Sequence, residues 1–411
     1  MRKLFLLLFI FFTVACAPQA AISPASGPTG TTAQKIIFSV GTDQALSYPG
    51  DLTTLPDEHT TFIPPASGSN AYLVFGATIP KTGGGLVLAT KDLHTFTLAS
   101  GYPNPMISPS LNFTTCKTTY DPEFDLNYSA PGSVLQDPTR APGNLIMIYE
   151  AENHCPGGVW QQPFYVTVGF ARSSDYGKTW PAPVDNELGG SDRYPVLKGS
   201  VPEPTTAEKP PVPLGDALPS AFIDGTSIYV TYTFSNPGGD RIEHVARATL
   251  GGNGQVSFLK WNSGSFSGAG IGGLDSGVLP SRGCDGYDLM GSISYSDPLH
   301  LYLMTFVCVS GSANNGSFQP TQAAWYFSTA TNLDLENWTA PQMIENSQFP
   351  VTHSCGDVGS GDSFDGWYPS FMSPGAAAGH ISDTGRVFFM NGCDTGRRTF
   401  MSRTFTVENT P

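Results

Sequence analysis

Charged side chains are scarce, 13% of 411 residues, and cations are scarcer still: 20 Lys and Arg against 34 Asp and Glu, a formal charge of −14 at pH 7. A surface so poor in positive charge has little to offer a phosphate backbone or an anionic bilayer, which argues against nucleic acid or acidic lipid as a partner. Beyond the N-terminus no stretch reaches the roughly 18 apolar residues that a membrane-spanning helix needs. There is no H-E-x-x-H, no phosphate-cradling Gly loop and no Ser-His-Asp order. No cysteine stands in a C-x-x-C or Cys/His cluster, so a zinc site is not expected. The stretch 264–277 is rich in glycine but lacks a lysine and a following helix, and reads as a surface loop.

What is abundant is turn chemistry: Gly 46 and Pro 35, with aromatic residues at 12%. Such a composition makes short strands and many turns rather than long solvated helices. The N-terminus is set apart from it. Arg2 and Lys3 precede an apolar run, Leu4 to Phe12, and then Thr13-Val14-Ala15-Cys16. This resembles a bacterial lipobox, which implies cleavage after residue 15, acylation of Cys16 and export to the cell envelope. Residues 16–35 are rich in Pro, Ser, Gly, Thr and Ala, a flexible tether; residues 36–411 carry the fold. Beyond this lipid anchor the chain is expected to be a monomer.

An apolar strand, a turn and a second aromatic-rich strand recur along the chain. Ser129 to Asp137 leads to Asn144–Glu150, Leu218 to Asp224 leads to Ser227–Phe234, Asp288 to Tyr295 leads to His300–Phe306, and Trp367 to Met372 leads to Gly385–Met390. A weaker copy joins Thr60–Ile63 to Ala71–Phe75. With a third strand and a fourth segment after each pair, this pattern predicts an all-β fold, a five-bladed β-propeller with blades near 59–110, 129–184, 215–262, 283–345 and 362–408. Ile36–Val40 is expected to close the ring against the last blade; if it opens a blade of its own, the propeller has six. The six cysteines after Cys16 bracket hairpins, which predicts the disulfides Cys116–Cys155, Cys284–Cys308 and Cys355–Cys393.

Ser173-Ser-Asp175-Tyr-Gly177-Lys-Thr179-Trp180 fits the Asp box S-x-D-x-G-x-T-W at every defined position, with degenerate copies at Ala89–Phe96 and Ser328–Trp338. The chain therefore resembles the sialidase-like Asp-box (BNR) propellers, and its blade count resembles the five-bladed glycosidases of the arabinanase and xylosidase type. In those families the box is structural and lies away from the active face. A sialidase would carry an arginine in an F-R-I-P-like motif on the first blade; here that place reads Phe62-Ile-Pro-Pro. Arg247, Arg282, Arg386 and Arg403 could grip a carboxylate, but their spacing selects no three.

Propeller ligands enter one mouth of the central channel, lined by residues that precede the first strand of each blade or end the second. Glycoside hydrolysis needs two carboxyl groups there, one protonated and one ionised. The candidates are Glu150, Asp216, Asp288 and Asp365, with Glu150 as acid and Asp288 or Asp365 as base. Glu152, Arg282, Asp285, Tyr287, Trp367 and Tyr368 are candidate substrate contacts, the aromatic pair offering stacking faces. Because Glu150 and Glu152 alternate with Ala151 as at a strand edge, one of the two is expected to be merely solvated. His154 reads as a loop residue. The carboxylates could hold calcium, although no ligand motif supports it, and no cofactor is expected. The expected function is a surface-anchored glycoside hydrolase acting on a glycan; the alternatives are a non-catalytic glycan- or envelope-binding propeller and a sialidase proper.

Overall fold

The computed structural model describes residues 35–410 apart from internal stretches, the longest being 117–123, 156–163, 183–192, 202–213, 278–285 and 351–364. Cys16, Arg282, Cys284, Asp285, Cys355 and Cys393 lie outside the described residues, as do the side chains of Tyr287 and Asp288.

Every regular element among the described residues longer than one residue is a strand, and the strands form five antiparallel blades. Blade 1 is Thr61–Ile63, Tyr72–Thr78, Gly84–Thr90 and Thr97–Leu98. Blade 2 is Tyr128–Gln136, Leu145–Asn153, Tyr165–Ser173 and Arg193–Leu197. Blade 3 is Leu214–Asp224, Ser227–Ser235, Arg241–Thr249 and Leu259–Asn262, with Ser265–Ala269 added outside. Blade 4 is Gly286–Ser296, Leu301–Asn314, Ser317–Ala330 and Gln342–Pro350. Blade 5 takes Trp367–Met372, Thr384–Asn391 and Thr399–Thr410 from the C-terminal part of the chain and its outer strand, Lys35–Val40, from the N-terminal part. The strand at 35–40 thus closes a five-bladed ring rather than opening a sixth blade. It pairs in register from Lys35 opposite Thr410 to Val40 opposite Phe405.

Blades stack face to face, so a middle strand is buried on both sides. Leu145–Asn153 and Tyr165–Ser173 are buried at every position, and the first five residues of the former, Leu145–Tyr149, are accordingly a continuous apolar run instead of an alternation. Aromatic residues fill the spaces between blades. Phe38, Trp325, Phe349, Phe389 and Phe405 pack where blades 4 and 5 meet, and Phe62, Phe96, Phe388 and Phe400 where blades 5 and 1 meet.

The innermost strands of blades 2 to 5 share a bulge, a register break between Pro131 and Ser133, Ala217 and Ser220, Leu289 and Ser292, and Trp367 and Ser370. Leu218, Met290 and Tyr368 pay for it with φ of 55°, 57° and 56°, a left-handed conformation that ordinary side chains seldom adopt. In blade 2 the bulge holds Gly132, where a Cβ would lie 2.0 Å from the carbonyl oxygen of Pro219. The bulges turn Ser133, Ser220, Ser292 and Ser370 toward the axis, where they line a cavity with Thr60. They also stitch the ring. Val134 N donates to Thr61 Oγ1 (3.1 Å), Ala221 N to Ser133 Oγ (2.9 Å), Thr231 Oγ1 to the Gly291 carbonyl (2.6 Å) and Thr60 N to Ser370 Oγ (2.9 Å). The Tyr368 N–H, 3.2 Å from Met290 Sδ, joins the remaining pair of blades.

The Asp box forms the turn between the third and fourth strands of blade 2. Asp175 accepts from Thr179 N (3.0 Å), Thr179 Oγ1 (2.7 Å) and Ser173 Oγ (2.7 Å), and Trp180 Nε1 donates to the Gly177 carbonyl (3.0 Å). Gly177 has φ of +79°, and a Cβ there would press on Phe75. In the blade 1 copy Asp92 Oδ1 accepts from His94 N (2.9 Å) and Thr95 N (2.7 Å) above buried Phe96. Both turns lie at the end of the propeller opposite the start of the innermost strands.

Candidate active site

At the end where the innermost strands begin, blades 1 and 2 bring three glutamates together. Asp57-Glu58-His59 arrives just ahead of the first strand of blade 1, while Glu150 and Glu152 end the second strand of blade 2. Residues two apart on a strand share a face. Glu150 and Glu152 therefore point the same way, and both are buried, at 4% and 6% exposure. The expectation that one of them is merely solvated is corrected by this packing: the strand is a middle strand, covered on both faces.

Glu58 is 1% exposed, and neither of its oxygens accepts a hydrogen bond from a described N–H or O–H donor. Burial, followed by the charge and hydrogen bond of Glu150, raises its pKa well above the ordinary value. Two carboxyl groups can share a hydrogen bond only if one of them holds a proton. Burial and the charge of Glu152 likewise push Glu150 well up, against the N–H of Leu218, which donates to its Oε2 at 2.5 Å. That N–H is turned toward the glutamate by the blade 3 bulge. Glu152, also raised chiefly by burial, reaches about 8, and its Oε2 lies 2.6 Å from His154 Nε2. His154 is held from below, its N–H donating to Asn127 Oδ1 at 2.8 Å, beside the Cys116–Cys155 disulfide. The row Glu58, Glu150, Glu152 is thus a set of carboxyl groups that burial and one another's charge bias toward the protonated form.

Asp57 beside them has partners of another kind. It pairs with the Arg398 guanidinium and accepts the Tyr128 hydroxyl. Burial raises its pKa, opposed by the Arg398 charge. Burial and the neighbouring Asp57 also lift the Tyr128 and Tyr368 phenols well above their usual range, so both stay O–H donors.

The other sequence candidates are distributed around the same end. Asp216 begins the innermost strand of blade 3, fully buried, with Lys260 Nζ at 2.9 Å. Burial raises its pKa against the Lys260 charge. Lys260 also reaches the Lys198 carbonyl (2.9 Å) and Asp275 (3.4 Å). Burial would raise Asp275, but hydrogen bonding to His244 and the charges of His244 and Lys260 bring it down to about 2. Asp288 stands opposite Cys308 on the innermost strand of blade 4, four residues before Ser292 as Asp216 stands four before Ser220. Tyr287 stands opposite Val309 on the same strand. Asp365 is half-buried and accepts the Gly392 N–H at 2.8 Å. Trp367 and Tyr368 pack with ring centroids 5.7 Å apart, both nearly buried. Cys308 is disulfide-bonded. Of the arginines weighed for a carboxylate grip, Arg386 donates to Gln44 and Ser402, Arg403 to Asp43 and the Asn346 carbonyl, and Arg247 stacks on Phe266.

Sequence reading missed Glu58, Asp57, Tyr128 and Arg398. A signal for the first two was present, since Asp57-Glu58 stands directly before a first strand, the position used to pick Asp216 and Asp365. Arg398 lies between the second and third strands of blade 5, and nothing local marks its reach across to blade 1. Among the described residues no group of three or more His, Cys, Asp or Glu is arranged to hold a metal ion.

No family model matches the chain, and no curated protein matches it. Among solved structures it is similar to the catalytic domain of the GH62 α-L-arabinofuranosidase of Coprinopsis cinerea, at 13% identity and a TM-score of 0.46, over 90% of this chain and 97% of that one. It is similar also to the GH43 endo-arabinanase of Bacillus licheniformis (13%, TM-score 0.44, 87% and 96%). A third is the α-L-arabinanase of Penicillium chrysogenum complexed with arabinobiose (10%, TM-score 0.45, 90% and 98%).

Proposed function

We propose that this chain is an exported glycoside hydrolase, tethered by a lipid on Cys16, that cleaves a glycan at the blade 1 and 2 end of its channel. The carrying observation is the row of buried carboxyl groups Glu58, Glu150 and Glu152, whose pKa values are all raised. A glycosidase needs a carboxylic acid that is still protonated near neutral pH. Glu150 is placed to be that acid, aimed by the Leu218 N–H and backed by Glu58. Its proton passes to the glycosidic oxygen as the bond to the anomeric carbon breaks. Glu58 and Glu150 are too close to act as the flanking pair, which stands about 5–9.5 Å apart. The base that takes a proton from the attacking water is therefore assigned to another blade, to Asp288. Tyr368 supplies a hydroxyl donor and Trp367 an aromatic face, while the Tyr128 proton is committed to Asp57. A sialidase reading has no support from Arg247, Arg386 or Arg403, which are engaged away from the acids.

The test is hydrolysis of aryl-glycosides and polysaccharides, arabinan among them, by the chain and its Glu150→Gln, Glu58→Gln and Asp288→Asn variants. Loss of turnover in Glu150→Gln and Asp288→Asn supports the assignment; undiminished turnover in both ends it. A non-catalytic glycan-binding propeller is the second reading, favoured by the Arg398 and Lys260 ion pairs that occupy Asp57 and Asp216. Binding of a polysaccharide without hydrolysis would favour it. Mass spectrometry of the mature N-terminus tests the anchor, which predicts a diacylglyceryl-modified Cys16.

A further inference from the structure

On the face opposite the glutamates, blades 3 and 4 leave a cleft of about 370 Å³, within the range of roughly 300–1,000 Å³ typical of small-molecule sites. Its floor is Tyr229 and Trp261, both buried, and its walls are Phe266 and Tyr302, both half-buried. Phe266 stands edge-on to Trp261, centroids 5.1 Å apart. Two exposed charges complete it. The Arg247 guanidinium lies 4.6 Å from the Phe266 ring centroid, and Asp224 accepts the Tyr302 hydroxyl at 3.1 Å. Among the described residues Arg247 makes no ion pair and no hydrogen bond through its side chain, so a stacked, oriented set of N–H donors faces the cleft.

We infer that this cleft is a second binding site, for a neutral saccharide. Aromatic walls match the C–H faces of a sugar ring, and a guanidinium with a carboxylate matches neighbouring hydroxyl groups, one donating and one accepting. The two charges cancel locally, which leaves no attraction for an ionic ligand, and the formal charge of −14 disfavours anions. The carboxyl row lies at the other end of the propeller, so the site holds a glycan without acting on it. It would keep a polymer on the protein while another part of the chain, or another molecule, is engaged elsewhere. The inference stands apart from the catalytic reading, because binding is measured without turnover.

The experiment is isothermal titration of the full chain with three neutral probes, arabinobiose, cellotriose and β-1,3-galactotriose. At least one probe is expected to bind, and Arg247→Ala and Phe266→Ala are each expected to weaken it roughly tenfold, whereas Glu150→Gln leaves this binding in place. Arg247 is exposed, so its variant remains folded and carries the test even if Phe266→Ala does not fold. Silence of all three probes with the unmodified chain, or equal affinity in the unmodified chain and Arg247→Ala, overturns the assignment.

Discussion

Two groups of buried acids stand at the same end of this propeller, and they are accommodated in opposite ways. In blade 3, Asp216 and Asp275 share a fully buried lysine, Lys260, and His244 adds to Asp275. Between blades 1 and 2, Glu58, Glu150 and Glu152 have one another, one backbone N–H and His154, with the Arg398 guanidinium, paired to Asp57, as the cation that acts on Glu152. A buried carboxylate must be neutralised, by a cation or by a proton. The blade 3 acids take the cation and become part of the scaffold. The glutamates are biased toward the protonated form by burial and by one another, and a carboxyl group that holds its proton can give it away. On the function proposed above, the difference in partners, not in burial, separates a structural acid from a chemical one.

The largest test of that contrast is catalytic. Glu150→Gln keeps the shape and removes the transferable proton, so hydrolysis should fall by about 10²–10⁴-fold, measured as released reducing sugar, with unfolding in urea little changed. Equal activity would erase the distinction. The converse variant is Lys260→Met, which leaves Asp216 and Asp275 buried without their cation. It should lower stability by about 3–5 kcal/mol in denaturant unfolding, and adding Asp216→Asn should recover part of that. A loss near zero would mean that blade 3 is neutralised by protons as well.

A pH series sharpens the comparison further. Glu152 ionises near 8 when folded against an ordinary 4.5, so between these values the folded chain holds more protons than the unfolded one. Its contribution to stability is complete below about pH 4.5 and declines as pH rises toward 8, with a slope of at most about 1.4 kcal/mol per pH unit. Thermal melts from pH 5 to 8 should show this decline, and Glu152→Gln should make it shallower, Glu58 and Glu150 being raised in the same direction. Smallest of all should be Asp175→Ala in the Asp box, on the far face: about 1 kcal/mol of stability, with hydrolysis unaltered.

The repeated hairpins were legible because each carries its own apolar pattern and turn residues. So was the Asp box, whose hydrogen bonds close within seven residues. Glu150 and Glu152 were legible as strand-end acids. Their raised pKa values were not, because these follow first from burial between blades, and Asp216 could not be told from Glu150 before Lys260, 44 residues downstream, was placed against it.

By itself, then, the amino-acid order determined strands, turns and the recurrence of hairpins, all properties of short segments and their repetition, while the pairing of residues 35–40 with the last strand decided between five blades and six. Only the tertiary structure decided which acids meet, which receive a cation, and which are buried chiefly against one another. Charge neutralisation in a low-dielectric interior depends on distances between residues far apart in the chain, and folding is what sets those distances.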